Sequence, residues 1–455
     1  MGKQWPGGAD AGSLLEEGEN VMLREKTSLA VWSVSLGCPK NRVDTEHLLG
    51  SLGCRIRFVK QKGRAQLIFI NTCAFIESAV RESVQTILEI VRDLKRLKKR
   101  PFLAVGGCLV GRYGTTELAR EIPEVDLWLA SRDLSLWPEI LSRALFGRDQ
   151  SQLGRLLSTG PSYAWLKISE GCQHQCAFCT IPKIRGKLSS SAQATLIAEA
   201  DHLLAMGVRE IDLVAQDVTA YGQDNGEHLK DLITELCRRP SLLWLRLLYL
   251  YPTGLDEDFL HFVKDTGSPL LPYFDIPLQH AHPEILSRMG RPFAQDVART
   301  VERVRRILPD AVIRTTFIVG FPGETDAHFA TLCRFVEDMR FSHVGVFAYA
   351  REEGTVAYDY PEQVPEDIAL ARRDELMAIQ RSVSQDLLSG MIGQRQQVLV
   401  DSVNDEWPGL HNGRVWFQAP EVDGQTYISG PGVAPGKVVE ADIVESADYD
   451  LTALT

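Results

Sequence analysis

The chain has 455 residues, 44% of them hydrophobic, and a formal net charge of −11. That size supports about two to four domains with substantial cores, no apolar run approaches the roughly 20 residues that span a bilayer, and the acidic balance gives no general pull toward nucleic acid. Residues 1–27 lack the apolar core of a secretory signal, so they are expected to form a disordered extension of a cytoplasmic protein.

From 28 to 146, apolar runs alternate with helical patterns: LAVWSVS, a helix from about Arg42 to Leu52, QLIFINT, a helix from about Ile76 to Leu97, FLAVGG, and a helix near Thr116 to Glu121. Continuous apolar runs separated by helices predict parallel strands covered on both faces. The basic run from Lys95 to Arg100 is expected to complement a helix dipole. Each of the three strands is followed at once by a cysteine, Cys38, Cys73 or Cys108. Ligands of open parallel sheets bind outside the carboxyl ends of the strands, so these thiols are expected to converge as a ligand set.

Residues 147–160 read as a linker. Six strand-like runs follow between 161 and 389, at 163–169, 209–216, 242–250, 273–279, 312–320 and 343–349, with helical segments between them. This spacing predicts a partial (βα)6 barrel, whose chemistry belongs to the strand-to-helix loops. Residues 390–455 change texture to short alternating runs broken by Gly, Pro and Asp-Gly, the pattern of a small antiparallel β-barrel. The fold class is therefore α/β with a C-terminal β-barrel.

The stretch EGCQHQCAFCTIPKIRGK, in the loop after the first barrel strand, carries Cys172, Cys176 and Cys179 spaced C-x3-C-x2-C. The chain has nine cysteines, grouped and odd in number, which argues for metal or catalysis over disulfides. Structural zinc takes four protein ligands, whereas a cubane 4Fe-4S cluster held by three thiolates leaves one iron open to something other than protein. The zinc alternative would need His174 as the fourth ligand, from a position between two cysteines; otherwise His174 reads as an ordinary loop residue. Cys54, Cys237 and Cys333 occur singly and are expected to be core packing.

C-x3-C-x2-C after the first strand of a βα barrel, with Phe178 just before the third cysteine, resembles the radical S-adenosylmethionine superfamily, whose cluster chelates the methionine end of that cofactor through its open iron. The α/β domain with three spaced cysteines and a C-terminal barrel of TRAM type extend the resemblance, from about residue 29 to 450, to the methylthiotransferases. SLGCPKNRVDTE (35–46) and LVAQDVTAYGQD (213–224) resemble the RimO branch, which modifies an aspartate of ribosomal small-subunit protein twelve.

The resemblance implies two 4Fe-4S clusters, one on Cys172, Cys176 and Cys179 and an auxiliary one on Cys38, Cys73 and Cys108. It also implies cofactor contacts at Phe178, Gln216, Ile318 and Gly320, an electron donor such as flavodoxin or ferredoxin, and a monomer that meets a basic ribosomal protein, free or on the ribosome. Of the superfamily motif G-x-I-x-G-x-x-E, this chain has Thr316, Ile318, Gly320 and Gly323 at the defined positions, with Glu324 one place late. The implied reaction is hydrogen abstraction from the aspartate β-carbon by a 5′-deoxyadenosyl radical, then attack on a methylated sulfur at the auxiliary cluster.

Two other readings stand beside this one: a MiaB-type enzyme acting on an adenosine of transfer RNA, and a non-catalytic iron-sulfur module bound to the ribosome. From Met391 to Thr455 there are three basic and ten acidic residues, a net of −7, against −4 for the rest of the chain. A barrel that recruits RNA should present Lys and Arg to phosphates, so this one is expected to attract a basic protein instead.

Overall fold

The computed structural model describes residues 3–4, 28–149, 151–152, 154–293 and 297–455. They fall into two compact units: the described residues through Ser158 together with Thr180–Gly186, and Thr159–Cys179 together with Lys187–Thr455.

The first unit is built on a six-stranded sheet in the order β1-β2-β4-β5-β6, with β3 pairing β2. Its strands are β1 (Lys3–Gln4), β2 (Ser28–Ser35), β3 (Arg55–Phe58), β4 (Leu67–Thr72), β5 (Phe102–Gly107) and β6 (Leu127–Ala130). All pairs are parallel except β1 with β2. The apolar runs of β2, β4 and β5 are buried on both faces, as continuous hydrophobic strands in a parallel sheet must be. Helix α1 (Pro39–Gly50) follows β2 and α2 (Glu77–Leu94) follows β4.

Three strands escaped the sequence reading. β3 and β6 have only four residues each, too short to show a period. Lys3 and Gln4 pair with Ser35 and Val34, where a disordered extension was expected; the rest of 1–27 lies outside the described residues. The basic run starts at the C-cap of α2, Lys95, and two of its members also form ion pairs, Lys95 with Glu124 (2.8 Å) and Arg100 with Asp126 (2.8 Å).

Within 147–160, read as a linker, Arg155 and Ser158 are bound to α1. Arg155 donates to Glu46 from Nε (2.8 Å) and Nη2 (2.6 Å), and the Ser158 amide donates to the other Glu46 oxygen (3.0 Å). Both side chains of the Arg155–Glu46 pair are almost wholly buried, at 2% and 0% exposure. Removing one partner of such a pair typically costs about 3–5 kcal/mol, because the other charge is left buried and unpaired.

The second unit contains six parallel strands, β7 (Tyr163–Lys167), β10 (Glu210–Val214), β11 (Trp244–Leu247), β12 (Leu270–Gln279), β13 (Val312–Val319) and β14 (His343–Ala348), adjacent in sequence order. This is the wall of the expected partial barrel. A two-residue ladder, β8 (Ser169–Glu170) with β9 (Ser189–Ser190), follows the first strand. The long helix Glu366–Ser389 leads to a closed barrel of β15 (Arg395–Val403), β16 (His411–Arg414), β17 (Thr426–Ser429), β18 (Val438–Ser446) and β19 (Leu451–Leu454). Its pairs are antiparallel except β17 with β19, which is parallel and closes the barrel, a departure from the all-antiparallel expectation.

Buried ions join this small barrel to the strands above it. Arg414 donates to Glu210 (2.6 Å) and to Asp401 (2.8 Å), and Arg246 donates to Glu210 (2.9 Å). Burial alone would raise the Glu210 carboxyl, but Arg414 and Arg246 hold it below its ordinary value; burial and the neighbouring Glu210 push Asp212 well up. Asp423 accepts from Tyr273 Oη (2.6 Å) and faces Arg314 (3.2 Å). Asp401 and Asp423 are thus internal ion partners, so the −7 of this segment overstates what it shows to solvent. Asp405, Glu406, Glu440, Asp442 and Glu445 are exposed and keep its surface acidic.

Candidate active site

In the first unit, the ends of β2, β4 and β5 carry Cys38, Cys73 and Cys108, and the side chain of Asn41 ties their loops together. Asn41 Nδ2 donates to Leu36 O (2.8 Å) and to Thr72 O (3.0 Å), while its backbone carbonyl accepts from Asn71 Nδ2 (2.7 Å). The Cys108 thiol points at Asn41 Oδ1 (3.9 Å). Ser83 clamps Cys73, accepting from its N–H (3.1 Å) and donating to its carbonyl (2.7 Å). Two glycines permit the approach: a Cβ on Gly37 (φ +83°) would stand 2.8 Å from Cys73 Sγ, and one on Gly107 (φ +103°) would stand 2.3 Å from Asn71 Oδ1.

Burial pushes the Cys73 thiol up to about 12, and nearby Cys38 and Cys108 add to the shift. Burial likewise raises Cys108, opposed by Arg185 and supported by Cys38. Three thiols close enough to resist one another's ionisation fit a soft metal centre, which supplies the charge that holds them as thiolates.

Thr180–Gly186, directly after Cys179 in sequence, belongs to this first unit. Its helix Ile181–Arg185 delivers Arg185, which donates to Cys108 Sγ (3.3 Å) and Asp44 Oδ2 (2.9 Å) and also to Asn41 Oδ1.

In the second unit, Cys172, Cys176 and Cys179 lie in the loop beyond β7. The loop is shaped by its own backbone: His174 N–H points at Cys172 Sγ (3.4 Å), Cys179 N–H donates to Cys176 O (3.0 Å), and Ala177 N–H donates to Met289 O (2.9 Å). Arg291 Nη1 donates to Cys176 Sγ (3.3 Å) and Nη2 to Pro277 O (2.7 Å). Burial raises the Cys172 thiol, opposed by the His174 amide and raised further by Asp217 and Cys176. His174 is no ordinary loop residue: its ring stacks on Tyr251 at 3.7 Å, and Nε2 lies 2.7 Å from Asp217 Oδ2. That engagement, rather than a fourth metal bond, accounts for its place. His174, Tyr251 and Arg291 line a cavity of about 590 Å³.

The remaining expected contacts, Phe178, Gln216, Ile318 and Gly320, sit in loops or at the ends of β10 and β13 on the carboxyl face of the strands. Gln216 Nε2 donates to Glu170 (2.5 Å), whereas its buried Oε1 and the buried Ser169 Oγ have no protein partner. Such orphaned atoms suit a polar cofactor. Phe178 lies under the Arg291 guanidinium at 5.9 Å. Gly320 has a packing reason of its own, since a Cβ there would meet Ala369 Cβ at 2.3 Å. Glu324 turns inward, accepting from the Gly320 amide (3.0 Å) and from Arg372 (2.8 Å).

A second donor cluster, His282, Glu284 and His328, has ligand atoms within 4.8 Å of one another. His282 Nδ1 accepts from Glu284 N–H (3.3 Å) and His328 Nδ1 from Thr325 N–H (3.3 Å). Both rings thus serve helix N-termini, His282 as the N-cap of Pro283–Arg288 and His328 in the capping box of Asp326–Met339. Cys54, Cys237 and Cys333 stand apart from both cysteine sets, with burial raising each thiol, Cys237 and Cys333 to about 11.

Asn41, Arg185, Arg291 and Tyr251 were not singled out by sequence. Arg185 lies inside the cysteine-rich stretch and Asn41 three residues after Cys38, so proximity to the thiols was an available signal for these two. Tyr251 comes from the loop after β11 and Arg291 from just after the helix Pro283–Arg288, and neither carries a pattern of its own.

A parallel strand wall with C-x3-C-x2-C in its first loop, in a chain that also carries a separate set of strand-end thiols and a closed β-barrel, defines a radical S-adenosylmethionine enzyme. Family models agree: the Radical SAM superfamily matches residues 166–336, the uncharacterized protein family UPF0004 residues 30–130, and the TRAM domain residues 392–455. The chain is 60% identical over 428 residues to the ribosomal protein uS12 methylthiotransferase RimO of Nitratidesulfovibrio vulgaris (strain DP4), covering 94% of this chain and 100% of that protein. It is 42% identical over 423 residues to the protein of the same name from Aquifex aeolicus (strain VF5), covering 92% and 95%. The chain belongs to the RimO family of radical S-adenosylmethionine methylthiotransferases. Among solved structures, the radical S-adenosylmethionine methyltransferase TsrM from Kitasatospora setae, with tryptophan and a cofactor analogue bound, has a TM-score of 0.55 at 14% identity, covering 87% of this chain and 80% of that one; at that identity the likeness speaks for the fold alone.

Proposed function

We propose that this enzyme adds a methylthio group to the β-carbon of an aspartate in ribosomal protein uS12, using one 4Fe-4S cluster on Cys172, Cys176 and Cys179 and an auxiliary one on Cys38, Cys73 and Cys108. The observation that carries the reading is the pair of three-thiol sets in separate folding units of a chain 60% identical to a uS12 methylthiotransferase. When bound, the first cluster and S-adenosylmethionine supply one-electron cleavage that yields a carbon radical able to take a hydrogen from an unactivated C–H bond, chemistry that no side-chain base provides.

The protein's part is to hold and orient. The cofactor would lie among the loops carrying Phe178, Gln216, Ile318 and Gly320, with Gln216 Oε1 and Ser169 Oγ available to its polar groups. Arg291 and the His174–Tyr251 stack fix the wall beside Cys176. In the first unit, Asn41 and Ser83 hold the cysteine loops, and burial of Cys108 limits access of water.

The acidic surface of the C-terminal barrel supports a basic protein substrate over RNA. Among the described residues no helix is long and apolar enough to cross a membrane, which agrees with a cytoplasmic enzyme; a monomer served by a flavodoxin or ferredoxin completes the reading. Mass spectrometry of uS12 and transfer RNA incubated together with the reconstituted enzyme, cofactor and reductant tests it. A gain equal to replacing hydrogen by SCH3 at one aspartate is expected; unmodified uS12 alongside a methylthiolated transfer RNA would overturn it.

A further inference from the structure

Each cysteine set has one thiol touching an arginine, at the same distance and with the two arginines equally buried. Arg185 reaches Cys108 Sγ at 3.3 Å and Arg291 reaches Cys176 Sγ at 3.3 Å; each arginine is 5% exposed. Their charge environments differ. Arg185 is paired with Asp44, also buried, at 2.9 Å. Arg291 spends Nη2 on a neutral carbonyl, Pro277 O, and leaves Nε buried without a partner. Among the described residues it forms no ion pair with a carboxylate. Its remaining neighbours are the rings of Tyr251 (4.8 Å), Phe293 (5.2 Å) and Phe178 (5.9 Å), which favour a cation without cancelling its charge. Asp217, the carboxylate that reaches Cys172, is taken up by His174 (2.7 Å) and by the amide (2.9 Å) and hydroxyl (2.6 Å) of Thr219.

We propose that the chain directs the incoming electron to the Cys172–Cys176–Cys179 cluster by leaving Arg291 without a carboxylate partner among the described residues while neutralising Arg185 with Asp44. The potential of a thiolate-bound cluster depends on the charge around it and on hydrogen bonds to its sulfurs. Reduction takes one electron from a low-potential one-electron donor and adds one negative charge to the cluster, with no bond made or broken. An uncompensated guanidinium at a thiolate stabilises that added charge, whereas a guanidinium paired with a carboxylate does so far less. Arg291 and Asp44 are thus positioning residues for charge. The inference rests on the reading that both cysteine sets hold clusters.

The test uses the full chain, anaerobically reconstituted, in two backgrounds: Cys38, Cys73 and Cys108 all changed to Ala, and Cys172, Cys176 and Cys179 all changed to Ala. Iron content is measured first, then the paramagnetic signal of the reduced cluster is followed as the potential is lowered with dithionite. In the first background Arg291→Gln should shift the midpoint to lower potential, and Arg291→Lys, which keeps the charge, should stay near its parent. In the second background Asp44→Asn should shift the midpoint to higher potential. An unmoved or opposite midpoint in Arg291→Gln or Asp44→Asn would overturn the proposal. So would loss of iron from either variant, since the residue would then be holding the cluster rather than setting its charge. A parent background without iron would refute the cluster reading itself, and with it this proposal.

Discussion

The set proposed for the auxiliary cluster draws one thiol from the end of each of three strands, whereas the set proposed for the radical cluster takes all three from one loop. The first depends on strand register: β2, β4 and β5 must align so that Ser35 faces Asn71 and Thr72 faces Gly107, and Asn41 must bridge the loops. The second depends on local backbone turns and on Arg291 arriving from a later loop. A site spread over a sheet is vulnerable at residues that bear no ligand, while a site in one loop fails chiefly at the ligands themselves.

The largest expected effect follows from cutting one site away. Wild type purified anaerobically should carry about eight irons if each set holds a cubane. Changing Cys172, Cys176 and Cys179 together to Ala should remove about half of that iron and abolish formation of 5′-deoxyadenosine, leaving the sheet-borne site intact. Full iron in that variant would erase the distinction between the sites.

A non-ligand residue should come next. Asn41→Leu keeps side-chain size but leaves Leu36 O and Thr72 O without the donor they have now, and each buried group so stranded costs about 1–3 kcal/mol. Iron at the auxiliary site should fall while the radical-site signal persists. Unchanged iron would mean that register alone holds the three thiols.

The barrel joint offers a control inside the second unit. Burial alone would raise the Asp423 carboxyl, but His343, Arg314 and Tyr273 hold it below its ordinary value of 3.8. A depressed carboxyl pKa contributes stability above that value and loses it as pH falls through the lower folded value. Asp423→Asn should therefore lower the melting temperature at neutral pH and flatten its decline on acidification, without touching auxiliary iron. An acid limb as steep as in wild type would remove Asp423 from the account.

The smallest effect concerns encounter with substrate. Asp448 is unsuitable for charge reversal because it anchors the barrel to the long helix, accepting from Gln385 (2.5 Å). Changing Glu440, Asp442 and Glu445 to Lys shifts the segment from −7 to −1, two units per swap. Association with uS12 should weaken at low salt and approach wild type as salt rises, because screening is nearly complete beyond about 8 Å at physiological ionic strength. Equal binding at low salt would make this face merely solvated.

Cys172, Cys176 and Cys179 were the more legible set in sequence, since they share one short stretch and the six apolar runs that frame them reappear as β7 and β10–β14. The strand-end position of Cys38, Cys73 and Cys108 was legible too, through the continuous apolar runs before them. What sequence did not show was contact made at a distance. Arg291 meets Cys176 across 115 positions, and Arg185 crosses into the other folding unit within six residues of Cys179. The charge count of the C-terminal segment overstated the exposed charge for a related reason: composition cannot tell Asp423, buried against Tyr273 and Arg314, from Glu440 in solvent.

The separate duties of the two sites are tested most directly by Cys73→Ala incubated with S-adenosylmethionine, dithionite and uS12, reading nucleoside and protein products from the same sample. The account predicts 5′-deoxyadenosine in the presence of unmodified uS12. Methylthiolated uS12 at the wild-type level would contradict it, because Cys73 would then be a core thiol and the sheet-borne site would have no part in the transfer.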